Sequence, residues 1–132
     1  MADPIFRLVC TPGILDAAPE GWVSAMLEEG ELALLVDGGG LDAISEVAHR
    51  LDLVTVPVLR TEASTAEQER TVIAYAGSKA LVWIAPAFGE STVKWAHDRG
   101  PMTLLVETAE ALSDDERRRV ERFVVILGRQ AE

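Results

Sequence analysis

The chain predicts a doubly wound α/β fold, with one mostly parallel five-stranded sheet and helices on both faces. Three observations predict it. Short continuous apolar runs alternate with helix-period segments along the whole length. Leu32-Ala33-Leu34-Leu35-Val36 runs through Asp37-Gly38-Gly39-Gly40 into the helix-period stretch Leu41 to Leu51, a complete strand-turn-helix unit. Parallel neighbours need a crossover connection, which an intervening helix supplies, so the alternation implies a parallel sheet covered on both faces.

The five strands are expected at Ile5 to Cys10, Leu32 to Val36, Leu53 to Leu59, Ala80 to Ala85 and Met102 to Val106. The first helix, about Pro19 to Glu29, carries Trp22, Val23, Met26 and Leu27 on one stripe and stops at Gly30, a residue suited to a left-handed cap. The second places Ile44, Val47, Ala48 and Leu51 at i, i+3, i+4, i+7 and so has one buried face. The third opens on Ser64-Thr65-Ala66-Glu67, a capping box, and runs through Val72 and Ile73 to Gly77. The fourth, about Ser91 to Arg99, ends at Gly100-Pro101. The last starts at a second capping box, Ser113-Asp114-Asp115-Glu116, with acids at the positive end of the helix dipole, and buries Val120, Phe123, Val124 and Leu127.

Strand order follows from Pro57, which cannot donate a ladder hydrogen bond and belongs at an edge. Of the two common five-stranded orders, 3-2-1-4-5 meets that condition and 2-1-3-4-5 does not. The expectation is a single Rossmann-like domain over residues 1–132, with its ligand crevice outside the carboxyl ends of strands one and four.

Composition narrows the partners. The chain has 132 residues, 48% hydrophobic and 5% aromatic, which suits one domain with an aliphatic core. A formal charge of -10 repels a phosphate backbone, so nucleic acid and anionic membrane are not expected as partners. Cys10 is the one cysteine and His49 and His97 lie far apart in sequence, so neither a disulfide nor a thiolate metal cluster is expected. The start Met1-Ala2-Asp3-Pro4 lacks an apolar signal region, and no apolar run reaches the roughly 18 residues of a membrane helix. A cytoplasmic location is expected.

Candidate binding residues gather at the crevice: Thr11 and Gly13 after the first strand, and Phe88, Glu90, Ser91 and Thr92 after the fourth. Backbone amides of Asp37, Gly38 and Gly39 at the next helix start are the second group, as a place where a phosphate approaches closely. Each has a structural counterpart: a glycine turn simply reverses the chain, Ser91 is a natural N-cap, and Phe88 covers the core as readily as it stacks on a base. Asp37 itself repels an anion. Cys10-Thr11-Pro12-Gly13 lacks the arginine of a phosphatase loop, which leaves Cys10 as a small buried hydrophobe. His49 and His97 read as surface residues. Arg117, Arg118, Arg119 and Arg122 on the last helix are interleaved with Asp114, Asp115, Glu116 and Glu121 and read as a solvated, ion-paired face.

Three families share parts of this grammar. Residues 22–61, with Met26-Leu27, Ala33 to Gly40, Ala48-His49-Arg50-Leu51 and Val56-Pro57-Val58-Leu59-Arg60-Thr61, resemble the central domain of thiamine-diphosphate enzymes. That resemblance implies a Rossmann-like domain that does not hold thiamine diphosphate and in some members binds an adenine nucleotide. Residues 53–106, with Pro57, Pro86, Gly89-Glu90-Ser91-Thr92 and Gly100-Pro101, resemble nucleoside deoxyribosyltransferase-like domains. The family's nucleophilic glutamate has no counterpart in Val93-Lys94-Trp95-Ala96. Residues 80–112 resemble the tail of type-IV-restriction-like nucleases, whose chemistry implies an Asp and a Glu/Gln-x-Lys triplet; Asp42 is available for the first, but Lys79 and Lys94 sit in no such triplet.

The expected function is a non-catalytic module that binds a nucleotide or other phosphorylated small molecule, a partner subunit, or both. The alternatives are a nucleoside-processing enzyme with Glu90, Ser91 and Thr92 on a sugar or phosphate, and a degenerate nuclease-like DNA-binding domain. Val125 and Ile126 lie outside the buried stripe of the last helix, which predicts an apolar end covered by a second subunit and hence a homodimer.

Overall fold

A computed structural model describes residues 4–108 and 111–131. Its sheet is four-stranded and parallel, in the order β2-β1-β3-β4. The strands are β1 (Phe6–Cys10), β2 (Gly30–Leu34), β3 (Ala80–Ala85) and β4 (Thr103–Glu107). Helices α1 (Pro12–Asp16) and α2 (Trp22–Met26) join β1 to β2. After β2 come α3 (Gly40–Arg50) and α4 (Thr65–Ala76), then α5 (Glu90–Arg99) between β3 and β4, and α6 (Asp114–Ala131) last.

Strand alternation sorts the core into two layers, because successive side chains point to opposite faces. Phe6, Leu8, Cys10, Leu32, Leu34, Val82 and Ile84 face one way and pack with Ile14, Leu15, Val23, Ile44, Val47, Val120 and Leu127 of α1, α2, α3 and α6. Val9, Ala33, Leu81 and Trp83 face the other way and pack with Val72 and Ala76 of α4, with Trp95 of α5 half-buried against them. The central strand β3 is buried along nearly its whole length and reads as an unbroken apolar run; β1 is buried except at Arg7, whose side chain lies over the Tyr75 ring and pairs with Glu31. No helix among the described residues is long and apolar enough to cross a membrane.

The fifth strand is absent. Around Pro57 the chain makes a single parallel bridge, Leu34 to Val58, in which Leu34 N–H donates to the Pro57 carbonyl (3.0 Å) and Leu59 N–H to the Leu34 carbonyl (2.9 Å). Proline's missing N–H prevents the ladder from continuing, so the expected edge strand shrinks to one rung beside β2 and the order 3-2-1-4-5 gives way to four strands.

The expected helix over Pro19 to Glu29 is also corrected. Gly21 takes φ +83 and starts α2 one residue later, while a separate helix begins at Pro12, where proline's fixed φ suits the first turn. Gly30 is not a left-handed cap; it opens β2, and a Cβ there would meet the Phe6 ring at 2.4 Å. The box at Ser113 closes, with Ser113 and Glu116 exchanging side-chain to backbone bonds (2.8 and 3.1 Å), whereas at Ser64 only the N-cap half forms, Ser64 Oγ accepting from Glu67 N–H (3.2 Å).

Candidate functional site

Because β1 connects onward to β2 on one side and β3 to β4 on the other, the loops after β1 and β3 part in opposite directions. Thr11 and Gly13 follow β1, and Phe88 to Thr92 follow β3. Three backbone amides that an anion needs lie in this region, on Gly13, Gly39 and Gly89, and in each case a carboxylate of the chain already accepts from the N–H.

Asp37 is the first of those carboxylates. Its Oδ2 accepts from Gly13 N–H at 3.2 Å and its Oδ1 from Gly39 N–H at 2.9 Å, which ties the start of α1 to the turn before α3. Gly39 is required for this close turn, since a Cβ there would stand 2.7 Å from the Ala43 Cβ. Gly38 is exposed, and Thr11 is the N-cap residue of α1 without a side-chain cap bond.

Glu69 is the second, and sequence reasoning missed it. It projects from α4, is 6% exposed, and accepts from Gly89 N–H at 2.9 Å through Oε2 and from Thr92 Oγ1–H at 2.7 Å through Oε1. A buried carboxylate is tolerated only where hydrogen bonds replace lost water, and here the N-terminal dipole of α5 adds to them. The signal was available: Glu69, Val72 and Ala76 fall at i, i+3, i+7, so a charged residue sits on an otherwise apolar stripe.

Glu69 overturns the expected role of Ser91. The N-cap of α5 is Gly89, the helix starts at Glu90, and Ser91 is exposed in the first turn. Thr92 turns its hydroxyl inward to Glu69 and is 1% exposed, so it offers nothing to a bound sugar. Phe88 packs edge-on against Trp83, ring centres 5.0 Å apart at 82°. The structure thus joins Gly13, Asp37 and Gly39, and separately gathers Gly89 and Thr92 around Glu69. Among the described residues no hydrogen bond connects the two groups.

Beneath the crevice, Cys10 ends β1 with no exposed surface, and burial pushes its thiol up to about 12. A cleft of about 470 Å³ lies elsewhere, lined by Leu15, Pro19, Gly21, Val23 and Leu51 beside the Arg50–Asp16 ion pair (2.8 Å). Another of about 400 Å³ is lined by Arg60, Glu62, Arg70 and Thr71. There the hydroxyl of Thr71 and the guanidinium of Arg60 hold the Glu62 carboxyl below its ordinary value. None of the crevice residues lines either cleft. His49 and His97 are exposed, and no group of three or more His, Cys, Asp or Glu is placed to hold a metal ion among the described residues.

Comparison with protein-family models, with curated proteins and with solved structures returned no match to this chain.

Proposed function

We propose that the chain is a non-catalytic subunit-interaction domain that pairs with a second copy along β4. The observation that carries this reading is the open outer edge of that strand. Among the described residues β4 pairs with β3 alone, and Thr103-Leu104-Leu105-Val106-Glu107 contains no proline or lysine to blunt the edge, its one charge, Glu107, standing at the end. The opposite edge, β2, has the Pro57 segment bridged to its end. Two β4 strands meeting antiparallel about a twofold axis satisfy each other's outward N–H and C=O groups and continue the sheet. Met102, 38% exposed just before β4, adds apolar surface at the seam.

The crevice supports the choice of partner over ligand. A phosphate bound through the Gly13, Gly39 or Gly89 amides must displace Asp37 or Glu69, against their own negative charge.

Hydrogen exchange tests this reading. The outward amides of Thr103, Leu105 and Glu107 are expected to gain protection between submicromolar and high-micromolar protein, and Met102→Lys to abolish the gain. Protection that ignores concentration, or a rise in melting temperature with millimolar phosphate or ATP, counts against it.

A further inference from the structure

Beyond self-association, and resting on the same reading of the chain as an interaction domain, we propose that the outer face of α6 docks an acidic amphipathic helix from a partner protein. Arg118, Arg122, Val125 and Arg129 stand at i, i+4, i+7, i+11, with Arg119 and Ile126 beside them, and all six are exposed. Val120 and Leu127 fill the core from the opposite side of the helix. Val125 and Ile126 are 52% and 43% exposed, so two adjacent branched apolar side chains lie in water between arginines.

The acids interleaved with these arginines are spent locally. Asp114 pairs with Arg117 and Asp115 with Arg118, Glu116 closes the capping box on Ser113, and Glu121 Oε1 accepts from Trp22 Nε1–H at 3.3 Å. Among the described residues, Arg119, Arg122 and Arg129 have no carboxylate partner. A chain of charge -10 therefore carries one face with four arginines against Asp115. The complement is a surface that is acidic and apolar at helical spacing.

A second copy of this chain is the wrong occupant. Antiparallel pairing of two α6 helices about Arg122 sets that residue against itself, and pairing about Val125 and Ile126 sets Arg122 against Arg129. A duplex is also a poor occupant, because the net charge opposes a polyanion and two of the six positions are apolar.

The test titrates the full chain into a fluorescein-labelled helix of Glu and Leu, leucines at heptad spacing, and reads anisotropy. Saturable binding that weakens with salt is expected, with no binding of a Lys and Leu counterpart. Arg119→Glu with Arg122→Glu is expected to weaken it about tenfold or more, and Val125→Ser with Ile126→Ser to weaken it as well. All four positions are exposed, so circular dichroism melts should match the wild type. Absence of saturable binding, affinity unchanged in the arginine variant, or tighter binding of duplex DNA through the same arginines overturns the proposal. Light scattering on the same samples reads pairing along β4, so either claim fails without the other.

Discussion

The crevice at the ends of β1 and β3 and the outer face of α6 use charge in opposite ways. In the crevice, Gly13, Gly39 and Gly89 amides are each matched to a carboxylate of the chain itself, and the Thr92 hydroxyl with them. On α6, the nearby acids are used in ion pairs and caps, and among the described residues Arg119, Arg122 and Arg129 have no carboxylate partner. A topological switch point marks where a ligand fits in folds of this class, but topology does not say whether the donors there are free. Among the described residues, arginines without a carboxylate partner lie on α6 and an unpaired strand edge lies along β4, while inside the molecule Trp83 Nε1 also lacks a hydrogen-bond partner.

The sharpest way to break the contrast is to show that the crevice opens. Cys10 lies beneath it, and its thiol is pushed up to about 12. A raised folded-state value favours the neutral thiol. Its contribution to stability is present in full below about pH 9 and is lost as pH rises towards 12, on the order of 1.4 kcal/mol per pH unit. Urea melts of wild type and Cys10→Ala should diverge through that window, and a thiol reagent should label the folded protein only at the rate of unfolding. Rapid labelling at neutral pH would show an accessible floor.

Next in size is the difference between the two capping carboxylates. Glu69→Ala leaves a buried hydroxyl and a backbone amide unmatched and is expected to cost about 2–3 kcal/mol. Asp37→Ala, where the amides reach water, should cost about 1 kcal/mol. Equal losses in denaturant melts would erase the distinction between a buried cap and a half-exposed one. Smaller again, Thr92→Val should cost about 1–2 kcal/mol through the Glu69 hydrogen bond. Ser91→Ala should stay within about 0.5 kcal/mol, because Gly89 occupies the cap. A larger loss for Ser91→Ala would restore it as the N-cap.

Elements whose own residues determine them were legible in the sequence. The N-caps at Ser64 and Ser113, the stripe around Val47, and the strands β1 and β3 were read within a residue or two of where they form. Errors came where distant residues decide. Gly30 reads as a helix stop, yet it is glycine because the Phe6 ring lies on it. The Pro57 run has strand composition, but its position beside a short edge and the missing N–H reduce it to one bridge. Ser91 has the chemistry of a cap and loses that place to Glu69, a residue twenty-two positions earlier in the chain. The candidate residues follow β1, β2 and β3, and what occupies their hydrogen bonds is a tertiary fact.

Multi-angle light scattering at high-micromolar concentration puts the account at greatest risk. If the proposed pairing along β4 holds, the protein should show twice the 14.3 kDa chain mass and return towards one chain with Met102→Lys. A single-chain mass for the wild type, unchanged as concentration rises, would contradict it.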